Sequence, residues 1–209
     1  MKIKSYLMWI TLTVLCAVVA FMGIRESFAL SKTPINLNDP DFDWSELKAG
    51  DHVEMDIQYL FDPFVITTSD KNVETMRTYA MPRIVSIDSD GYWSIVDYIG
   101  IHVNDQSLFS TYDKLCDETI DWWTDDEAIE YNPTTVHIDG IVREMDKESK
   151  GFFREYLSDM EYEDDFIDNS MCAYAVYPAQ NANWLVIGIG VVGMLAGIGI
   201  IVFKIVKKK

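Results

Sequence analysis

Two uncharged apolar stretches, Tyr6 to Ile24 and Trp184 to Phe203, bracket this chain, and every acidic residue lies between them. They hold 19 and 20 residues, close to the roughly 20 that span a hydrocarbon core about 30 Å thick. A chain bracketed in this way is expected to be a membrane protein with one domain held between two spanning helices. Basic residues beside a span favour the cytoplasmic side. Lys2 and Lys4 precede the first stretch, and Lys204, Lys207, Lys208 and Lys209 follow the second. The expected localisation is therefore the cell membrane, multi-pass, with both termini cytoplasmic and the domain extracytoplasmic. Residues 1–5 read as the cytoplasmic N-terminus, 6–24 as the first transmembrane helix, 25–43 as a linker and 44–177 as the external domain. Residues 178–183 form a short linker, 184–203 the second transmembrane helix and 204–209 a basic tail.

A cleaved signal peptide is the competing reading of the first stretch, because Ser27-Phe28-Ala29 places small residues at −3 and −1 of a cleavage site. Signal-peptide cores run to about 7–15 residues, shorter than this stretch, and Arg25 and Glu26 would fall inside the cleavage region. Cleavage would still leave the domain outside, held by the second span.

The segment from Arg25 to Asn183 carries 11 of the 17 Lys and Arg and all 34 Asp and Glu, a formal charge of −23. Such a surface repels phosphates and excludes nucleic acid as a partner. About 155 residues suit one domain with its own core. Trp44, Trp93, Trp122 and Trp123 set the segment apart from disordered acidic spacers, which lack aromatics. Cys16 lies in the first span, which leaves Cys116 and Cys172 as the candidate disulfide. Two buried thiols are the alternative.

Ser31 to Asp43 is rich in Pro, Asn and Asp and reads as linker. Val53, Met55, Ile57 and Tyr59 then alternate with polar residues, the period of a half-buried strand, which Asp62-Pro63 is expected to end. Thr78 to Ile87 and Tyr92 to Val103 form two further strands across Asp88-Ser89-Asp90-Gly91, a hairpin-turn composition. Pro82 lacks an amide hydrogen and predicts an edge position or a bulge. Leu108, Tyr112, Leu115, Thr119 and Trp122 fall at helical spacing behind the capping candidates Asn104 and Asp105. Thr135 to Met145 is a fourth strand with a bulge or bend expected at Gly140. Phe152 to Met160 is a second short helix and Ser170 to Tyr177 a fifth strand, while Glu161 to Asp165 reads as a solvated acidic loop. The short segment between that strand and the second span predicts a domain close to the bilayer.

Five strands, an early hairpin and a helix between the third and fourth strands predict a membrane-anchored α+β protein whose external domain is a β-rich, OB-like barrel with two short helices. The run Leu47-Lys48-Ala49-Gly50-Asp51-His52-Val53-Glu54-Met55-Asp56-Ile57, the later Val136 to Met145 and the helix Phe152-Phe153-Arg154-Glu155-Tyr156-Leu157 carry a resemblance. They resemble uncharacterised bacterial two-pass membrane proteins of an unknown-function family, whose external domain opens with L-x-x-G-D-x-V-E-x-x-I. Met55 stands where the resemblance leads one to expect a glycine. The resemblance implies an architecture and no activity.

Several constellations invite chemistry. His52, His102 and His137 lie on three different predicted strands among many carboxylates, without metal-ligand spacing. Ser86, Asp88, Asp90 and Asp97 mimic positions of an EF-hand loop around Gly91, but Ser and Asp replace the first and last ligands and the flanks read as strands. Asp88, Asp90 and Asp97 are thus weak metal candidates, and a hairpin is the plainer reading. Ser45-Glu46-Leu47-Lys48 matches S-x-x-K without the accompanying K-T-G and S-D-N elements. Gly193-x-x-x-Gly197 in the second span is a close-packing surface for the first span or for a partner helix.

The expected function is a non-enzymatic, membrane-tethered binding or assembly protein that presents an acidic domain outside the membrane. No catalytic residue and no cofactor are expected. Membrane, a membrane-protein or basic protein partner, and weak divalent cation association are the expected partners. The alternatives are an envelope enzyme with an unrecognised carboxylate site and an accessory subunit of a transport complex.

Overall fold

The computed structural model describes residues 2–87, 92–124, 133–179 and 184–207. In chain order its elements are α1 (Lys2–Leu30), β1 (Ile35–Asn36), β2 (His52–Ile57), β3 (Phe61–Thr68), β4 (Glu74–Ile87), β5 (Trp93–Val103), α2 (Phe109–Thr124), β6 (Val136–Glu144), α3 (Lys147–Asp159), α4 (Asp164–Ser170), β7 (Met171–Pro178) and α5 (Trp184–Val206). Single 3-10 turns at Trp44–Glu46 and Gln106–Leu108 precede β2 and α2. The residues divide into two compact units, the helices at the two ends of the chain and Thr33–Ala179.

In the first unit α1 and α5 are both long and apolar enough to cross a membrane. Thr13 faces Gly197, Cys16 faces Gly193, Ala20 faces Gly190 and Gly23 faces Ile187. Numbers rise on one helix as they fall on the other, so the pair is antiparallel. A Cβ on Gly193 would stand 2.8 Å from Cys16 Sγ, one on Gly190 would stand 3.2 Å from Ala20 Cβ, and one on Gly197 would overlap Thr13 Oγ1. The glycines are thus where α5 approaches α1 closely enough for dispersion contacts between backbones. α1 continues past the expected end of the span at Ile24 to Leu30, through Arg25 and Glu26.

The second unit is built on one seven-stranded sheet of order β1-β2-β6-β7-β5-β4-β3. Neighbours are antiparallel except β1 with β2 and β5 with β7, which are parallel. Seven strands in this mixed order depart from the five-stranded count behind the OB-like expectation, for two local reasons. The expected linker contributes β1, and Asp62-Pro63 sits inside β3 instead of ending a strand. β3 is an edge strand with register shifts on either side of Pro63, and there a missing amide costs no ladder bond. Pro82 lies beyond the last β3 partner of β4, at Ala80, and so has a neighbouring strand on one side only.

Gly140 marks neither a bulge nor a bend. Its pairing with Val53 and Pro178 is regular, and the missing side chain instead admits a neighbour: a Cβ there would stand 2.6 Å from the Tyr177 carbonyl oxygen. Ile35, Val53, Gly140 and Pro178 form one transverse row across β1, β2, β6 and β7. This row is about 14 Å wide at ~4.8 Å per strand.

Both faces of the sheet are covered. Val53, Met55, Ile57, Ile99, Ile101 and Val142 bury one face against Phe109, Tyr112, Leu115 and Cys116 of α2. Ala80, Tyr98 and Ala175 bury the other against Phe153 and Leu157 of α3 and Ile167 of α4. Phe64 stacks on Phe153 with ring centroids 4.2 Å apart. Asp105 caps the turn leading into α2 by accepting from the Ser107 amide at 3.0 Å, and Asp146 caps α3 through the Ser149 amide at 2.7 Å, each filling an orphan helix-terminal donor. Glu161 to Glu163 of the acidic run are loop as expected, while Asp164 and Asp165 fall in the first turn of α4, where they suit the positive end of the helix dipole.

Candidate functional site

Strand alternation sends Val53, Met55 and Ile57 to the core and leaves His52, Glu54 and Asp56 on the opposite face of β2. Register brings Asp139 of β6 opposite Glu54, and His137 opposite Asp56. The result is a face of three carboxylates and two imidazoles. His52 Nε2 lies 2.6 Å from Asp139 Oδ1, and His137 Nδ1 lies 2.7 Å from Asp56 Oδ1.

Beside these pairs opens a cleft of about 380 Å³, lined by Asn36, Asn38, Glu54, Asp56, Gln58 and His137 among others. Asn38 shapes it. β1 ends at Asn36, and the Asn38 side chain then continues the ladder: its Oδ1 accepts from the Asp56 amide at 2.6 Å and its Nδ2 donates to the Asp56 carbonyl at 3.0 Å. The cleft is polar and open, and its carboxylates are well hydrated: the Asp56 side chain is 60% exposed and that of Asp139 53%. Chemically, such a surface offers acceptors and negative charge. It lacks the desolvated pair of acids that divides acid and base roles between two carboxylates.

The third histidine sits elsewhere. His102 on β5 stacks on Tyr177 of β7 with centroids 4.1 Å apart, and Arg143 of β6 lies over the Tyr177 ring at 4.7 Å. Burial, followed by the charge of Arg143, pushes the His102 pKa down to about 4. His52, His102 and His137 are therefore spread over three strands and do not converge. Among the described residues no group of three or more His, Cys, Asp or Glu side chains is placed to hold a metal ion.

Of the hairpin carboxylates, Asp88 and Asp90 lie outside the described residues. Asp97 faces Arg83 across the β4–β5 ladder at 3.1 Å. Burial raises its pKa, and the hydrogen bond and charge of Arg83 partly offset that rise. Asp97 is thus engaged as an ion-pair partner. Ser45 is held by Asp43, whose carboxylate accepts from the Ser45 amide at 2.8 Å and lies below its usual pKa because of that bond. The Lys48 amide donates to Asp51 at 2.8 Å, so S-x-x-K here spans a capped turn.

Cys116 and Cys172 are free thiols, not a disulfide. The Cys116 thiol donates to the Phe61 carbonyl at 3.3 Å from within the α2 core, and burial raises its pKa. Burial likewise pushes the Cys172 thiol up to about 11. Gly193 and Gly197 stand against Cys16 and Thr13 of α1.

Sequence reasoning missed Asn38, which it placed in a linker, and the set Arg143, Tyr177 and His102. No local signal could have joined residues that only the strand register brings together. No curated protein and no solved structure matches the chain. A family model matches residues 1–206, nearly its whole length, and the chain belongs to that family, a domain of unknown function, DUF8577.

Proposed function

We propose that the chain is a two-pass membrane protein with cytoplasmic termini that presents its acidic domain outside the membrane for non-enzymatic binding or assembly. The observation that carries this reading is the antiparallel pairing of α1 with α5. Two apolar helices packed through Gly190, Gly193 and Gly197 against Ala20, Cys16 and Thr13 place both basic chain ends at one end of the pair, the arrangement that basic residues favour on the cytoplasmic side. The binding role rests on the open face formed by Glu54, Asp56 and Asp139 with His52 and His137. Its exposed carboxylates suit a basic segment of a membrane-protein or other protein partner, and they would associate weakly with divalent cations.

A second reading, an envelope enzyme, draws on Asp62. Burial and then the charges of Asp117 and Asp113 raise its pKa.

Photo-crosslinking from residue 58 in native membranes tests the binding role. A recurrent protein adduct that weakens when Glu54 and Asp56 are changed to Gln and Asn is expected. The absence of any protein adduct, or an adduct indifferent to those changes, would contradict it.

A further inference from the structure

The two edges of the sheet end differently. At one, β1 has two residues, and beyond it the Asn38 carboxamide takes up the Asp56 amide and carbonyl as a further strand would. At the other, β3 runs for eight residues, and its start is closed by the helices. The Leu60 amide just before it donates to Thr119 Oγ1 at 3.0 Å, the Phe61 carbonyl accepts from the Cys116 thiol at 3.3 Å, and the Tyr156 hydroxyl lies beside the Asp62 backbone. Pro63 has no amide to offer. Over residues 64–68 the backbone bonds, among the described residues, to β4 alone.

Five residues of strand span about 16 Å. Sheet edges are ordinarily blunted by charge, proline or bulges. Register shifts flank this stretch, beside Pro63 and between Thr67 and Thr68, while Val65, Ile66 and Thr67 pair regularly with Thr78, Arg77 and Met76. Residues 63–69 contain no Asp, Glu, Lys, Arg or His, and Ile66 is 49% exposed. Charge stands at the ends of the stretch, with Asp62 at one and Asp70 beside Lys71 at the other. After burial, the charges of Asp117 and Asp113 on α2 raise the pKa of Asp62, so these carboxylates share one corner of the edge. Arg77 answers Asp113 and Glu74, and Asp62 and Asp117 have no cation among the described residues.

We propose that β3 is a docking edge for an extended, basic segment of another protein, which adds to the seven-stranded sheet along residues 64–68 and sets a Lys or Arg against Asp62 and Asp117. Strand addition supplies the main-chain donors and acceptors that an open ladder lacks, and the carboxylates select a cationic occupant over an acidic one. A second copy fits poorly, since two β3 strands paired antiparallel about Ile66 would set Asp62 of each against Asp70 of the other. This edge is separate from the carboxylate face of β2 and β6 and does not rest on the role assigned to that face.

The test titrates the full-length chain, purified in a mild detergent, with an acetylated fluorescent peptide of alternating valine and threonine that carries two lysines at each end. Saturable binding should slow hydrogen exchange at the amides of 64–68 and leave 54–58 unchanged. Replacing the lysines by glutamate should weaken binding at least tenfold, as should methylating alternate backbone nitrogens of the peptide in one of the two phases. Ile66→Lys, with unfolding unchanged from the wild type, should weaken it at least tenfold. Asp62→Asn with Asp117→Asn should weaken it at least threefold, and Glu54→Gln with Asp56→Asn should leave it unchanged. No saturable binding up to millimolar peptide would overturn the proposal. So would binding that leaves exchange at 64–68 unslowed, that is equal for the glutamate peptide, or that is lost on changing Glu54 and Asp56. A dimeric mass with exchange at 64–68 already slowed in the absence of peptide would assign the edge to a second copy and overturn it as well.

Discussion

Cys16 Sγ lies 2.8 Å from the point that a Cβ on Gly193 would occupy. With Ala20 opposite Gly190 and Thr13 opposite Gly197, this approach fixes the antiparallel register of the two apolar helices. A disulfide needs Cβ atoms about 3.5–4.5 Å apart, and the 3.2 Å between Ala20 Cβ and a Cβ on Gly190 lies a few tenths short of that range, so the pair Ala20→Cys and Gly190→Cys should crosslink on mild oxidation with only a slight easing of the helices. Ala20→Cys with Gly188→Cys should not, because Gly188 has no neighbour in that direction. Gly193→Val should abolish the first crosslink by forcing the helices apart, as read on a non-reducing gel.

In the core, the Thr119 hydroxyl joins α2 to the start of β3. Its Oγ1 accepts from the Leu60 amide at 3.0 Å and donates to the Leu115 carbonyl at 2.8 Å, with Thr119 wholly buried. Thr119→Val keeps the shape but leaves the Leu60 amide without an acceptor. The expected loss in urea unfolding is about 1–3 kcal/mol, most of which Thr119→Ser should restore.

Acid should loosen the exit of β7. The depressed pKa of His102 means that the unfolded chain, with an ordinary histidine near 6.5, binds its proton first. The associated stability is present above pH 6.5 and is lost as pH falls toward about 4. His102→Gln should flatten that part of the stability profile. Arg143→Gln, which removes the cation on the far side of Tyr177, should shift the histidine titration upward by NMR.

Much of this architecture is legible in the sequence because it rests on periodicity and composition. The alternation around Val53, Met55 and Ile57 marks β2, the helical spacing from Leu108 to Trp122 marks α2, and Asp105 signals its cap. β3 was hidden because proline is tolerated at an edge, a property of its neighbours and not of its own sequence. β1 was hidden because two residues are too short to show a period. Gly140 reads correctly as special, yet its cause, the Tyr177 carbonyl, lies 37 positions away. The candidate face was visible only as separate histidines and acids, since pairing Asp56 with His137 and His52 with Asp139 depends on register.

The proposed two-pass topology depends on where the ends of the chain lie. Labelling with a membrane-impermeant maleimide in intact cells, applied to Glu148→Cys on α3 and to single cysteines appended at either terminus, measures this directly, with the chain lacking them as blank. Glu148→Cys should react in intact cells while both terminal cysteines react only after the membrane is opened. A C-terminal cysteine that reacts as readily as Glu148→Cys in intact cells would contradict that topology.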